Sequence, residues 1–258
     1  MRFCSLGSGS TGNATIVEAP DGATTTRLLV DCGFSLKELD QRLARAGLAL
    51  ADLDAVFVTH EHGDHVGCAV PLARQQQLPI WMSHGTWQSI GAPALDGLLR
   101  LARDGATIDL GDLHLTPFTV PHDAREPLQL RCSDGARSLA LLTDTGSNTP
   151  HLSAHLQRCD AILLECNHDA ALLAASSYPA SLKARIGGAH GHLSNATAAT
   201  ILAGCVHDGL RHVVAAHLSE QNNRPGLARA ALAAACGAGE DDIVVADPRL
   251  GAPWLDLR

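Results

Sequence analysis

The stretch that decides the fold is His60-Glu61-His62-Gly63-Asp64-His65. It follows a strand-like run, Asp54-Ala-Val-Phe-Val-Thr59, and leads into the apolar stretch Val66 to Leu72. A tight turn at a strand end presents its imidazoles and the Asp64 carboxylate toward one point. The competing reading is a polar loop that happens to contain three histidines. Matching residues downstream weigh against it.

Those residues also fall at strand ends. Working outward, the run 115–120 ends in Pro121-His122-Asp123, Ser138 to Thr143 ends in Asp144, and 211–216 ends in His217. Loops at the carboxyl ends of strands converge in layered α/β folds while the core holds them rigid, so each strand delivers a His or Asp to a common place. His60, His62, Asp64, His65, His122, Asp144 and His217 make enough ligands for two ions sharing a carboxylate. A His and carboxylate set without thiolate suits Zn²⁺, Mn²⁺ or Fe²⁺. Two such ions about 3.5–4 Å apart hold a bridging hydroxide and stabilise an in-line displacement.

The rest of the chain reads as alternating strands and helices. Phe3–Leu6, Ala14–Glu18 and Arg27–Cys32 read as strands, with a turn at Pro20-Asp-Gly22. A helix over Ser35–Ala46 takes Ser35 as N-cap, Glu38 at the capping-box position and Gly47 as stop. A helix is expected over 66–77, a short strand over 78–82 and a hairpin over 106–122. Ala161–Glu165 is a further buried strand. Helices follow at 169–175, 179–186, 194–208 with Ser194 as N-cap, and 225–235 with Pro225 in its first turn. Ile243–Ala246 is a last strand. Two sheets covered by helices on both outer faces is the simplest architecture, and no linker or repeat divides residues 1–258, which read as a single domain.

Composition narrows the function. The formal charge of −8 argues against a broadly basic nucleic-acid surface. Of the 19 basic residues only Lys37 and Lys183 are lysine. The eight cysteines show no C-x-x-C spacing and sit mostly among apolar residues, as small buried hydrophobes of a reducing compartment. The opening residues lack a signal-peptide apolar region, and no apolar run approaches the roughly 20 residues that span a bilayer. A soluble cytoplasmic protein with no membrane partner is expected.

The turn His60–His65 resembles the H-x-H-x-D-H signature of the metallo-β-lactamase superfamily, and the later His, Asp and His follow in the same order. The resemblance covers essentially the whole chain. It implies a four-layer αββα sandwich with a binuclear site between the sheets. One metal would take His60, His62, His122 and Asp144. The other would take Asp64, His65, Asp144 and His217. The flavo-diiron branch replaces the second histidine by Glu; this chain keeps His62, which favours hydrolysis over oxygen reduction. Five further motifs resemble the YycJ (WalJ) family, bacterial relatives of RNase Z and PhnP associated with DNA exonuclease activity. They are Phe3-Cys-Ser-Leu-Gly-Ser-Gly-Ser-Thr-Gly-Asn13, Thr143-Asp-Thr-Gly146, Glu165-Cys-Asn-His-Asp169, Gly191-His-Leu-Ser-Asn195 and His217-Leu-Ser-Glu-Gln-Asn-Asn223.

Phosphodiester chemistry is supported by His192, which lies just ahead of a helix N-terminus capped by Ser194, a position that favours an anion. By similarity to RNase Z-type enzymes, His192 binds the scissile phosphate or protonates the leaving oxygen, paired with Glu165. His168 and Asn167, in the loop after Glu165, either line the pocket or shape the turn. Lys183, Arg185, Ser194 and Asn195 are candidate substrate contacts, with a solvated helix face as the alternative for Lys183 and Arg185. Ser8, Ser10 and Asn13 either support the metal loops or form only a tight turn. Seven histidines, at 84, 114, 151, 155, 190, 207 and 212, read as surface or capping residues.

The reading is a metal-dependent phosphodiesterase, a nuclease acting on DNA, with Asp64, His192 and Glu165 at its catalytic centre and two divalent ions, Zn or Mn, with Fe also compatible. The alternative is a small-molecule hydrolase of the same fold, cleaving a cyclic or small phosphodiester, a lactone or a thioester. A non-catalytic metal-binding protein is a third hypothesis, against which the complete ligand set stands.

Overall fold

The computed structural model describes residues 1–21 and 24–257; Gly22, in the expected turn, lies outside them. The apolar runs are continuous rather than alternating because both faces of each sheet are covered. The first sheet has the order β14-β1-β2-β3-β4-β5-β6. Its strands are Arg2–Gly7 (β1), Ala14–Asp21 (β2), Thr24–Val30 (β3), Ala55–Phe57 (β4), Ile80–Met82 (β5), Leu99–Leu101 (β6) and Leu255–Asp256 (β14). The second has the order β13-β12-β11-β10-β9-β8-β7. It comprises Ile108–Leu110 (β7), Leu113–Thr119 (β8), Leu128–Ser133 (β9), Ser138–Leu142 (β10), Ala161–Glu165 (β11), His212–Ala216 (β12) and Ile243–Val245 (β13). Each sheet is antiparallel at one end and parallel at the other. The change of direction falls at β3 in the first sheet and at β10 in the second.

Period-two alternation sorts each strand's side chains between two cores. Phe3, Val17, Leu28 and Phe57 of the first sheet meet Leu115, Leu130, Leu141, Leu163 and Val214 of the second in the central layer. On the outer face of the first sheet, Ile16, Leu29 and Val56 pack on Leu39, Leu43 and Leu72. The latter belong to the helices Leu36–Arg45 (α1) and Ala69–Gln76 (α3), which flank the single turn Gly63–Val66 (α2). On the second sheet, Ile162, Leu164 and Ala215 pack on Leu152, Ile201 and Leu232. The remaining helices are His84–Ser89 (α4), Pro150–Leu156 (α5), Ala170–Ala175 (α6), Ala180–Ile186 (α7), Asn195–Ala203 (α8) and Pro225–Cys236 (α9). The four layers are therefore αββα, as expected.

Several local expectations change. The helix expected over 66–77 is split, because Gly67 sits at φ +28° and Cys68 returns its N–H to the carbonyl of Cys32. Ser35 does cap α1, accepting from Glu38 N, but the Glu38 carboxylate turns to Arg42 at 2.8 Å instead of closing the capping box. Pro20 and Asp21 continue β2 rather than turning. The helix expected to reach residue 208 stops at Ala203, with Gly204 as its C-cap. Strands β6, β9 and β14 and helices α4 and α5 carried no clear periodicity. No helix among the described residues is long and apolar enough to cross a membrane.

Candidate active site

The carboxyl ends of the parallel strands gather on one edge of the sandwich. The turn after β4 carries His60, His62, Asp64 and His65; the ends of β10, β11 and β12 carry Asp144, Glu165 and His217; and His122 follows β8. The carbonyl of His62 accepts from the N–H of both His65 and Val66, which coils the turn and aims Asp64 and His65 inward. Gly33 lets the neighbouring loop lie against this coil. A Cβ there would fall 1.7 Å from the Asp64 carbonyl oxygen.

Two ligand clusters result. In the first, His62 Nδ1 lies 3.1 Å from His60 Nε2 and 3.3 Å from His122 Nε2. In the second, Asp64 Oδ2 lies 3.5 Å from His65 Nε2 and 3.4 Å from His217 Nε2. Asp144 stands between them. Its Oδ2 is 2.8 Å from His65 Nε2, and its Oδ1 is 2.9 Å from His217 Nδ1 and 3.9 Å from His122 Nε2. All seven expected ligands thus converge.

Not all contacts within the clusters are hydrogen bonds. Asp144 Oδ2 and His217 Nε2 are buried and make no aligned hydrogen bond, although charged groups lie within 4 Å of both. Buried polar atoms are normally satisfied. Here several lone pairs point at shared space instead of at one another. That is the arrangement expected where cations complete the contacts, so the residues present fit divalent metal ions.

Without a cation the excess negative charge is balanced by protons. Burial opposes charge on His65, but Asp144 and Asp31 outweigh it and raise its pKa to about 10. His217 is raised well above the ordinary histidine range, again against burial, mainly by Asp144. His60, buried and facing the charge on His65, is pushed well below that range. Burial also lowers His122. Asp144 is held well below the usual carboxylate range, because His217 and His65 outweigh its burial.

An outer layer fixes the ligands. His65 Nδ1 lies 2.8 Å from Asp31 Oδ2. Thr59 donates to the same carboxylate through its backbone N–H and its hydroxyl, and its Oγ1 also meets His60 Nδ1 at 3.0 Å. The carbonyls of Gly191 and Thr143 lie 3.0 Å from the Nδ1 atoms of His122 and His217. Ser8 Oγ accepts from the His217 N–H at 2.9 Å, and Asn13 Nδ2 reaches both Asp64 and His65. Asp31 and His217 adopt left-handed φ angles of 61° and 53°, strain of the kind concentrated at functional sites. Asp31 was missed in the sequence, although it too ends a strand run; the strand-end rule applied to Arg27–Cys32 would have found it.

Beside the clusters, His192 Nδ1 lies 2.7 Å from Glu165 Oε1. Glu165 is fully buried, and its Oε2 accepts from the N–H groups of Thr145 and Leu193. Burial disfavours charge on His192, but Glu165 and Asp144 raise its pKa to about 9. Asp123, unassigned in the sequence, lies 3.5 Å from His122 Nε2 and receives Arg185 Nε at 2.6 Å.

The cavity at the two clusters encloses about 350 Å³ and is walled by Ser10, His62, Asp64, Arg185, His192 and His217, among others. Neither Asn167 nor His168, Lys183, Ser194 or Asn195 is among its lining residues. Asn167 Nδ2 donates to the His217 carbonyl, and Asn195 exchanges side-chain hydrogen bonds with Asn223. Ser194 caps α8 through Thr197 N, and Lys183 Nζ donates to the Ala174 carbonyl. His168 is buried. Of the seven remaining histidines, His155 departs most from a surface role: its ring stacks on Phe118, centroids 4.7 Å apart.

The chain matches the Beta-lactamase superfamily domain family over residues 26–217. It is 36% identical over 234 residues to the exodeoxyribonuclease YycJ of Bacillus anthracis, covering 89% of this chain and 86% of that protein. It is 33% identical over 233 residues to the exodeoxyribonuclease WalJ of Streptococcus pneumoniae, covering 88% and 85%. The crystal structure of YhfI from Bacillus subtilis, described as a metallo-β-lactamase fold protein, superposes with a TM-score of 0.74 at 18% identity, covering 99% of each chain. At that identity the likeness concerns the fold.

Proposed function

Since the chain belongs to the β-lactamase superfamily domain family, in company with the YycJ and WalJ exodeoxyribonucleases, we propose that it is a binuclear metal-dependent phosphodiesterase acting as a DNA exonuclease. The observation that carries the reading is the His192–Glu165 pair at 2.7 Å on the wall of the metal cavity. The metal ligands alone serve any hydrolase of this fold, including those that open carbonyl substrates. A charged imidazole beside them adds what a phosphodiester needs, a proton for the departing oxygen.

His60, His62 and His122 would hold one ion and Asp64, His65 and His217 the other, with Asp144 between them. The thiolate-free set suits Zn or Mn, with Fe compatible. When bound, two divalent ions supply Lewis acidity toward the phosphate and acidify water. The chain's own groups do the rest. Asp64, at the edge of the cavity, accepts a proton from the attacking water. His192 enters the reaction protonated, with Nδ1 tied to Glu165, and delivers its proton to the leaving oxygen. Two backbone N–H groups hold Glu165 through its Oε2, which leaves Oε1 to meet His192 and fix the ring plane. Arg185 faces the same cavity and meets the phosphate's negative charge. The unpaired state of all eight cysteines suits a reducing cytoplasm.

The net charge of −8 favours the second reading, a small phosphodiester, lactone or thioester as substrate. One experiment separates them. The Mn²⁺- or Zn²⁺-loaded protein is offered linear DNA, bis(p-nitrophenyl) phosphate, a lactone and a thioester. Release of mononucleotides from DNA ends is the expected result. Cleavage of a carbonyl substrate with both phosphodiesters untouched would overturn the proposal.

A further inference from the structure

Two more cavities adjoin the metal cavity in series. The metal cavity is walled on one side by Ser10. Ser10 also lines a smaller cavity of about 130 Å³, together with Thr11 and Tyr178. This one shares Ser219, Glu220 and Pro248 with a third and larger cavity of about 520 Å³. The third has an apolar floor of Leu218 and Val245 and a rim of Arg224, Arg229 and Arg249. Each cavity thus shares a wall with the next, and the series begins where bond cleavage is proposed.

The lining chemistry changes from one cavity to the next. At the metal end stands Arg185; in the middle stands Tyr178, the only tyrosine of the chain, half-buried in the cavity wall; at the far end stand the three arginines. Grouping three arginines around one cavity is notable in a chain with 27 acidic and 19 basic residues. Two carboxylates share that cavity, Glu220 and Asp247. Asp247 is already engaged, since its Oδ1 accepts from the N–H groups of Arg249 and Leu250 at 2.7 and 2.8 Å. The guanidinium of Arg224 is oriented by its own loop, Nη1 donating to the carbonyls of Glu220 and Gln221 at 3.3 Å. A cation so fixed loses little freedom when it meets a phosphate. The volume of the third cavity falls within the range of about 300–1,000 Å³ typical of small-molecule sites, which suits a nucleotide.

We propose that the three cavities form one track for a single strand of nucleic acid, leading from the metal centre past Tyr178 to the pocket ringed by Arg224, Arg229 and Arg249. The track rests on the phosphodiesterase reading and gives it a polymer as substrate. Basic groups follow the phosphates, and Tyr178 offers a face on which any base stacks, the sequence-tolerant mode of single-strand binding. It also eases the conflict between a chain of net charge −8 and a polyanionic substrate, because four arginines line the two end cavities.

Binding of fluorescent phosphorothioate single strands, of about 3 and about 12 nucleotides, to the metal-loaded protein tests this, since such site sizes separate one cavity from the whole track. The longer strand is expected to bind more tightly. The double variant Arg224→Ala/Arg249→Ala should lose most of that advantage, and its log–log salt slope should fall by about 1.4, at about 0.7 per phosphate. Tyr178→Ala should weaken the longer strand by about ten-fold. Melting temperature and metal content establish that the variants are folded and loaded. If the unmutated protein cleaves bis(p-nitrophenyl) phosphate but binds both lengths equally, or if the variants keep the length dependence and the slope, the track is refuted while the chemistry stands. If the unmutated protein neither cleaves that diester nor binds either strand, the phosphodiesterase reading itself has failed.

Discussion

Replacing His192 by alanine removes the imidazole on the cavity wall that the proposed assignment leaves outside the two ion sites and uses as the proton donor. Glu165 and Asp144 raise the His192 pKa to about 9, against its burial, which favours the protonated ring at pH 7. The full contribution of general acid catalysis is therefore available in the unmutated protein, about 10²–10⁴-fold in rate. A nucleotide's alkoxide leaving group needs that proton, whereas p-nitrophenolate departs without it. His192→Ala should thus lower turnover of a DNA oligonucleotide by about 10²–10⁴-fold while lowering bis(p-nitrophenyl) phosphate turnover by about ten-fold or less. Glu165 keeps its Thr145 and Leu193 N–H partners in the variant, so the loss of stability should stay near 1–3 kcal/mol. Glu165→Gln is the finer probe. It withdraws the first of the charges that raise His192, so the basic limb of the pH–rate profile should move to lower pH, with Asp144 preserving part of the shift. The assay is steady-state kinetics on both substrates from pH 6 to 9 with metal content measured in parallel. Equal losses on the two substrates, or an unmoved basic limb in Glu165→Gln, would refute the role of His192 as the acid.

Further outcomes follow from the same geometry. Asp144→Ala should abolish binding of both ions together, whereas His217→Ala should empty mainly one site; elemental analysis showing at most one ion per unmutated chain would defeat the binuclear assignment. Asp31→Ala frees His65 Nδ1 and should weaken metal affinity by about 10–100-fold without touching a ligand, as measured by chelator competition; unchanged affinity would remove Asp31 from the centre. In the metal-free protein the raised pKa values of His65 and His217 favour the folded state fully below the unfolded value near 6.5, and that contribution is lost as pH rises toward 10. The melting temperature of the metal-free protein should therefore fall between pH 6.5 and 9, and metal loading at neutral pH should release protons. A flat or rising melting temperature over that interval would contradict the proton-balanced cluster.

How much of this was legible in the chain depends on range. The strands that deliver Asp144, Glu165 and His217 were found because each is a continuous apolar run followed by polar residues. Strand β6, with a half-buried Leu99 and exposed Arg100 and Leu101, offers no such contrast. Helix α5 buries only Leu152 and Leu156, too few for a periodic signal. The break after α2 was invisible because it depends on the Cys32 carbonyl reaching Cys68 from another strand end.

The sequence by itself determined the layered fold and which His and Asp residues stand at its strand ends, since hydrophobic period and residue chemistry are local properties carried wherever the strand goes. Only the tertiary structure decided that Asp31 orients His65, that Ser8 receives the backbone N–H of His217, and that Asn167 and Asn195 turn away from the cavity. Those are distances between residues up to 209 positions apart, such as His217 and Ser8. They are set by how two sheets pack on a shared core, and no pattern along one strand encodes them.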